Sequence, residues 1–131
     1  MRLYVKFSLL CLALMTLQGC GGSDEVEKHQ VTGTVTYNGK PIEKGSITFD
    51  PADNQGVAAM GGIENGQFTA EVPPGEKILR ISAVRETGEK DQYGEVITES
   101  YIPAKYNVES NLKKTVEANG ENKFDLALAD D

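Results

Sequence analysis

The sequence contains no tryptophan, a single histidine (His29) and only two cysteines, Cys11 and Cys20. One imidazole leaves little for multi-histidine metal sites or for histidine-dependent acid-base catalysis. Its 20 acidic residues outnumber 13 basic ones, giving a net charge of −7. Binding to nucleic acid requires a basic face that displaces counterions, so this balance argues against it. We therefore expect a small acidic protein that is not an enzyme and binds neither a cofactor nor nucleic acid.

Residues 1–19 have the features of a secretory signal peptide. Arg2 and Lys6 precede an apolar run from Phe7 to Leu17, which is shorter than the roughly 20 residues that a membrane-spanning helix needs. Removal of this segment would leave 20 acidic and 11 basic residues, a net charge of −9. The remaining chain is long enough for one domain and no more.

The end of the apolar run, Leu17-Gln18-Gly19-Cys20, resembles the lipobox of bacterial lipoproteins. The resemblance implies that the thiol of Cys20 carries a diacylglyceryl group, that cleavage precedes Cys20, and that its new amino group is acylated, in the manner of palmitate-bearing lipoproteins. The alternative is an ordinary cysteine after a standard cleavage site. Each buried methylene contributes about 0.8 kcal/mol, so two or three acyl chains would hold the protein firmly on a membrane. With Cys11 removed and Cys20 blocked, no disulfide remains.

The residues after Cys20 predict a tether and a location. Residues 20–30 are small and polar, and a flexible chain of ten residues spans about 17 Å. His29 is interpreted as a solvated residue of this tether and not as a ligand. Gly21 follows the modified cysteine where aspartate acts as an inner-membrane retention signal in enteric bacteria, which favours the outer membrane of the cell envelope.

Residues 31–128 show the period-two alternation of half-buried β-strands. In the first strand Val31, Val35 and Tyr37 share one face, and the turn pair Asn38-Gly39 follows at once. No stretch of twelve residues has the periodicity of an amphipathic helix. Seven strands separated by short turns predict an all-β sandwich; they are residues 31–37, 46–50, 57–63, 67–72, 77–85, 114–118 and 122–128. The fifth is expected to be central, with Ile78 and Val84 covered as well as Leu79.

The first of these strands carries a specific resemblance. The run from Val31 to Phe49 contains a Gly-x-Val pattern and then a Gly-x-Pro-hydrophobic turn, and it resembles carboxypeptidase-regulatory-like, transthyretin-like domains. Further motifs place the chain near a group of small lipoproteins of planctomycete-type bacteria: Gly66-Gln67-Phe68, Pro74-Gly75, Ile102-Pro103-x-Lys105-Tyr106 and Asn122-x-Phe124-x-Leu126-x-Leu128. The resemblance covers nearly the whole mature chain. It implies one Ig-like, transthyretin-like (prealbumin-like) sandwich over residues 31–128 and says little about activity.

Residues 86–113 form a long segment in which no strand is predicted from the residue pattern. Segments of this length in compact domains are usually functional or disordered, so this is where we expect function. Pro103 suits the first position of a helical turn, and we expect one short turn packed across an end of the sandwich. The candidate binding loop consists of Tyr101, Ile102, Pro103, Lys105 and Tyr106.

The sequence bears on three other functions. A hydrolase of the transthyretin-like hydroxyisourate type would need several histidines and a Tyr-Arg-Gly-Ser ending, which the chain lacks. Asp50, Asp53 and Asn54 supply oxygen atoms for a weak calcium site, although turns recruit the same residue types. A carbohydrate-binding module would use Tyr93, Tyr101 and Tyr106, and it requires the rings of Tyr101 and Tyr106 to be exposed.

The preferred interpretation is a non-catalytic, lipid-anchored β-sandwich that acts as a structural or binding protein at the cell envelope. Its partners would be the membrane, through the anchor, and an envelope protein or polysaccharide. A net charge of −9 favours solubility, a cationic partner or bridging divalent ions. The carbohydrate-binding module is the alternative function.

Overall fold

The structure is a computed structural model that describes residues 26–130. The predicted signal peptide, the lipobox candidates Leu17, Gly19 and Cys20, and the first part of the predicted tether lie outside the described residues. Within 26–130 the chain forms nine strands and one 3-10 turn: β1 (His29–Tyr37), β2 (Lys40–Pro41), β3 (Lys44–Pro51), β4 (Ala59–Glu64), β5 (Gln67–Val72), β6 (Gly75–Lys90), β7 (Val96–Ser100), η1 (Ala104–Tyr106), β8 (Lys113–Val116) and β9 (Asn122–Leu128). No helix in this part of the chain has the length and apolar character needed to cross a membrane.

The strands form one sheet that folds over on itself into two layers. β5 pairs with β1 along its whole length, whereas β4 pairs with β5 only beside their shared turn. β4 pairs instead along its length with β3, which also pairs with β6. The two layers are therefore β9-β1-β5 and β4-β3-β6-β8, joined at the β4–β5 turn. This confirms the predicted all-β sandwich.

The space between the layers is filled by the alternating apolar residues. Val31 and Val35 of β1 are fully buried, as are Ile47 and Phe49 of β3. The rings of Phe49 in β3 and Phe68 in β5 meet across the core with centroids 6.1 Å apart. Each buried side chain of this size contributes roughly 1.5–3 kcal/mol to stability. None of residues 26–130 is a cysteine, so no disulfide joins the described strands.

Gly33 allows β1 to lie between β5 and β9. It stands opposite Phe68 on one side and Phe124 on the other. A Cβ atom at this position would lie 1.8 Å from the carbonyl oxygen of Phe124 and 2.8 Å from the ring of Phe68. The space that a side chain would need is thus taken by a core ring and by the neighbouring strand.

Two Asn-Gly pairs form the tight turns that the sequence predicts. Asn38 and Gly39 join β1 to β2 with φ angles of 51° and 79°, and Asn65 and Gly66 join β4 to β5 with 51° and 76°. Left-handed values at both central residues identify turns whose twist matches that of the flanking strands.

The long segment differs from the prediction. Residues 86–90 continue β6, and Val96–Ser100 form β7, so a β-hairpin stands where no strand was expected. We call Val84–Ser100 the arm. Every residue of the arm is exposed, and Val84, predicted to be covered, is 51% exposed. Because neither face of the arm is buried, its sequence has no apolar alternation that would predict a strand.

The start of β1 also differs from the prediction. The strand begins at His29, opposite Val72, and not at Val31. The His29 side chain is 19% exposed and lies near the Glu27 carboxylate at 3.4 Å. It therefore belongs to the domain and not to a solvated tether.

Candidate functional site

The sandwich has two distinct ends along its strands. β1 starts at His29 beside Val72, and β6 starts at Gly75 a few residues later, so both strands run in the same direction from this end. We call it the tether end, because the chain enters the domain here. The opposite end, where β1 finishes at Tyr37, is called the distal end. Nine residues of strand separate the two ends by about 26 Å.

An open groove of about 1120 Å³ lies at the distal end, between the end of β1, the start of β3 and the base of the arm. The rings of Tyr37 and Tyr101 form one wall, with centroids 5.6 Å apart and planes tilted by 60°. The guanidinium carbon of Arg85 stands 5.5 Å from the centre of the Tyr101 ring, and Arg85 Nε donates to Glu99 Oε1 at 2.7 Å. This wall offers aromatic area and a cation that is already neutralised by a carboxylate.

The C-terminal residues close the other side of Tyr37. Asn38 Nδ2 donates to Asp130 Oδ2 at 3.0 Å, and the amide of Asp130 donates back to Asn38 Oδ1 at 3.0 Å. The Tyr37 hydroxyl donates to the Asp130 carboxylate. This arrangement ties the end of the chain to the turn between β1 and β2.

These contacts shift the pKa values of the groups around the groove. The hydrogen bond to Asp130 raises the pKa of Tyr37, and burial adds to the shift. Burial raises the pKa of Tyr101, and the Glu43 carboxylate raises it further. Hydrogen bonds from Tyr37 and Asn38 lower the pKa of Asp130. At neutral pH Tyr37 and Tyr101 are therefore neutral phenols in the groove, and Asp130, which lies beside the groove, is a carboxylate.

The arm extends from the distal end and is organised by its own side chains. At its tip the Asp91 carboxylate accepts hydrogen bonds from the amides of Tyr93 at 2.8 Å and Glu95 at 3.0 Å. Thr87 Oγ1 donates to the Ile97 carbonyl at 3.1 Å across the hairpin. Tyr93 is 80% exposed. The arm thus has a defined turn and presents one tyrosine at its tip.

The structure divides the candidate binding loop. Tyr101 lies in the groove, whereas Ile102 is 7% exposed and belongs to the core. The Tyr106 hydroxyl donates to the Ala129 carbonyl at 3.1 Å and accepts from the Ala129 amide at 3.2 Å, while the Lys105 ammonium stands 5.0 Å from the centre of its ring. Both tyrosine rings are half-buried. Tyr106 and Ile102 hold the loop in place, and Tyr101 is the member that faces the groove.

The 3-10 turn follows Tyr101 at the distal end and packs against β6 and against Ala129, the residue after β9. Arg80 of β6 holds it there, donating to the carbonyls of Asn107 at 2.6 Å and Val108 at 3.0 Å. Arg80 Nε also donates to Asp50 Oδ2 at 2.5 Å. Pro103 caps the turn with φ −58° and ψ 147°, one residue before the predicted position.

The calcium candidates have other contacts. Asp50 pairs with Arg80, and Asp53 Oδ1 accepts the Gln55 amide at 2.9 Å in a local turn. Asn54 adopts a left-handed backbone with φ 59°. Among residues 26–130 no group of three or more histidine, cysteine or acidic side chains is placed to hold a metal ion. These contacts are those of a structured turn.

Sequence reasoning did not identify Tyr37, Asn38 or Arg85 as groove residues. Alternation predicts Tyr37 on the core face of β1, and in the structure it is half-buried at the rim of that face. The position of Tyr37 in the sequence is the feature that could have indicated a groove residue. A tyrosine at the last inward site before a turn has its hydroxyl at the edge of the core.

Comparison with known proteins adds little. No protein-family model matches the chain, and no curated protein sequence matches it. A 9R-lipoxygenase from Cyanothece PCC8801 is similar in structure, with 14% identity and a TM-score of 0.36. The match covers 79% of this chain and 16% of the lipoxygenase chain. A similarity this low carries no argument about fold or activity.

Proposed function

We propose that this protein is a lipid-anchored, non-catalytic binding module of the cell envelope, with the transthyretin-like fold that its sequence resembles. The observation that carries the proposal is the position of the groove and the arm at the distal end, away from His29, where the tether enters the domain. A lipid on Cys20 would therefore place the tether end near the membrane and direct the distal end outward.

The dimensions support display at a distance from the membrane. β1 spans about 26 Å, and the part of β6 beyond Ala83 adds about 20 Å when extended. The tip of the arm thus lies up to roughly 45 Å from the tether end, to which a flexible tether adds about 17 Å. That reach suits contact with another envelope component.

The three groups at the groove whose pKa values shift are poorly suited to acid-base catalysis. A general acid or base works best with a pKa near the operating pH. Here the pKa values of Tyr37 and Tyr101 are raised above their ordinary 10.0, and that of Asp130 is lowered below its ordinary 3.8. The three shifts all lead away from neutrality.

The anchor is tested by metabolic labelling of the full-length protein with an alkyne analogue of palmitate. We expect the wild-type chain to be labelled and to sediment with membranes. Cys20→Ser should be unlabelled, and Cys11→Ser is the matched control, which should retain both label and location. Labelling that survives Cys20→Ser, or that is lost in Cys11→Ser, would contradict the proposal.

The binding role is tested by placing a photo-crosslinking residue at Tyr93 in cells. The same residue at Glu121, which is exposed in the turn just before β9 at the tether end, is the control. We expect a discrete adduct with an envelope component from position 93 only. An absence of adducts at 93, or the same adducts from both positions, would count against display by the arm.

A carbohydrate-binding groove is the second candidate, and the Tyr37–Tyr101 wall favours it. Aromatic rings beside amide and carboxylate groups, here Asn65 and Glu43, are suited to stacking and hydrogen bonding with sugars. Calorimetry with isolated envelope polysaccharide should show binding that Tyr101→Ala removes and that Tyr93→Ala retains. Binding that is insensitive to Tyr101→Ala would exclude the groove.

A further inference from the structure

The outer strand of the arm has an unpaired edge. β7 pairs with β6 and with no other strand of residues 26–130. The Tyr101 amide donates to the Ala83 carbonyl at 3.3 Å, which sets the alternation of hydrogen bonds along the hairpin. Thr98 and Ser100, two positions apart, consequently direct their N–H and C=O groups away from β6. These four groups form a template for one more strand.

The arm also lacks the third strand that would stabilise it. An isolated two-stranded hairpin is marginally stable in water, and a third strand is normally needed. Val96 and Ile97 of β7 are 44% and 38% exposed. A strand added at this edge would cover part of both side chains and pair the free backbone groups at the same time.

Charge identifies the kind of strand that fits. The arm contains five acidic and two basic residues, for a net charge of −3. One of the two basic residues, Arg85, is already paired with Glu99. A second copy of the chain would bring a second acidic arm and be repelled. A segment that carries lysine or arginine is attracted to the same surface.

The two edges of the arm are not equivalent. On the other edge, β6 loses its β3 partner after Ala83, which stands opposite Gly45, and the free side of β6 opens onto the groove. Lys40 and Lys44 line that groove and would oppose a cationic segment. The edge of β7 faces away from β6 and from these lysines, so it is the favoured edge.

We propose that the edge of β7 binds an extended, lysine- or arginine-bearing segment of a partner protein by strand addition. This deepens the proposed function and rests on it, since it names the partner class that the arm recognises. Backbone hydrogen bonds at Thr98 and Ser100 supply the register, and the acidic residues of the arm select for positive charge.

Three peptides test the proposal on residues 21–131, which contain every strand of the domain. Acetyl-KVKVKVK-amide is the probe, acetyl-EVEVEVE-amide reverses its charge, and acetyl-KVKPKVK-amide keeps the charge but cannot pair as a continuous strand. By isothermal titration calorimetry we expect the first to bind at least tenfold more tightly than either of the others, and more weakly as salt is raised. Equal binding of the proline peptide, or of the glutamate peptide, would overturn the proposal.

Two variants locate the binding site. Thr98→Pro removes an outward-facing donor, which an edge strand tolerates, so the circular dichroism spectrum should be unchanged while peptide affinity falls at least tenfold. Glu89→Gln/Glu95→Gln should weaken the salt-sensitive part of binding, and the matched control Glu121→Gln should not. Peptide affinity that Thr98→Pro leaves intact would overturn the assignment to β7.

The same variant separates this proposal from the proposed function. If Thr98→Pro abolishes peptide binding and also the Tyr93 crosslink in cells, both stand. If the wild-type chain gives the Tyr93 crosslink in cells but binds no cationic peptide, strand addition is wrong and the arm recognises its partner by other contacts. If the wild-type chain gives no Tyr93 crosslink, the proposed function is wrong whether or not the peptides bind.

Discussion

At the scale of single residues, Gly33 is the described glycine at which an added Cβ atom would make the closest contact. A Cβ atom there would meet backbone in β9 and the Phe68 ring in the core, and neither can move without separating strands. Gly62 is the contrasting case, because an added Cβ atom would have no neighbour within 4 Å. Both glycines lie inside strands, so substitution by alanine distinguishes close packing from a general requirement for glycine.

We predict that Gly33→Ala lowers the free energy of unfolding by about 3 kcal/mol or more, as overpacking against backbone does at its upper limit. Gly62→Ala should change it by less than about 1 kcal/mol, because alanine restricts the unfolded chain without a clash. Urea denaturation followed by circular dichroism measures both. Similar midpoints for the two variants would show that β1 can shift to accept a side chain.

The Tyr37–Asp130 hydrogen bond gives stability a dependence on pH at both extremes. The pKa of Asp130 is lowered in the folded state, so its contribution is present above pH 3.8 and is lost as pH falls through the depressed value. The pKa of Tyr37 is raised, so its contribution is present below pH 10.0 and is lost as pH rises through the elevated value. Between these limits the contact should be insensitive to pH.

Asp130→Asn should therefore reduce the difference in thermal stability between pH 6 and pH 3, and between pH 6 and pH 11. Calorimetric melting curves at the three values test this, with Asp125→Asn as a control that leaves the Tyr37 contact intact. An unchanged pH profile in Asp130→Asn would show that the contact does not contribute in solution.

Local residue patterns predict the turns. They do not predict contacts between residues far apart in the sequence, such as Tyr37 and Asp130. Asn38-Gly39 and Asn65-Gly66 have the backbone angles expected of them, because the residues themselves determine the left-handed conformation. The partner of Tyr37 is 93 positions away in the sequence. Nothing near Tyr37 indicates that Asp130 will meet it.

At the scale of elements, the 3-10 turn depends on one side chain from another strand. Arg80 joins β6 to the carbonyls that follow the turn and to Asp50 in β3. Sequence patterning predicts the turn through Pro103 but not its anchor, because an arginine within an apolar strand gives no local sign of what it binds. β7 was missed for a different reason, because strand prediction relies on a buried face and the arm has none.

We predict that Arg80→Met destabilises the domain by roughly 1–3 kcal/mol, because two carbonyls and one carboxylate lose a charged donor. Arg85→Met is the matched control. Its ion pair with Glu99 is exposed, so its loss should cost less than about 1 kcal/mol. Hydrogen exchange should show faster exchange at Tyr106 and Asn107 in Arg80→Met alone. Equal destabilisation by both variants would contradict the anchoring role.

At the scale of the whole molecule, the core and the arm are independent in packing. All of the fully buried apolar side chains lie outside the arm, and β9 supplies Leu126 and Leu128 as well as the parallel neighbour of β1. Sequence patterning identified both β9 and the core strands, since each has a buried face. Sequence patterning does not indicate that the arm and the groove share one end of the sandwich. That placement depends on the direction of each strand in the folded sheet, which patterning does not give.

We predict that replacing residues 87–98 by Asn-Gly leaves the thermal midpoint within a few degrees of wild type, whereas ending the chain at Gly120 abolishes cooperative unfolding. The first change removes exposed residues only, and the second uncovers β1 and deletes part of the core. Differential scanning calorimetry tests both. A large loss of stability in the arm deletion would show that the hairpin supports the sandwich.

The parallel pairing of β1 with β9 also determines when this protein can fold. A hydrogen bond joins Thr34 to Asp125 although 91 positions separate them, so β1 has β5 on one side but lacks its partner on the other side until β9 has been made. Contacts between such distant positions slow folding, and until they form the chain exposes the unpaired N–H and C=O groups at this edge of β1. A chain that ends before β9 would keep this edge of β1 open, and we expect such products to aggregate or to be degraded.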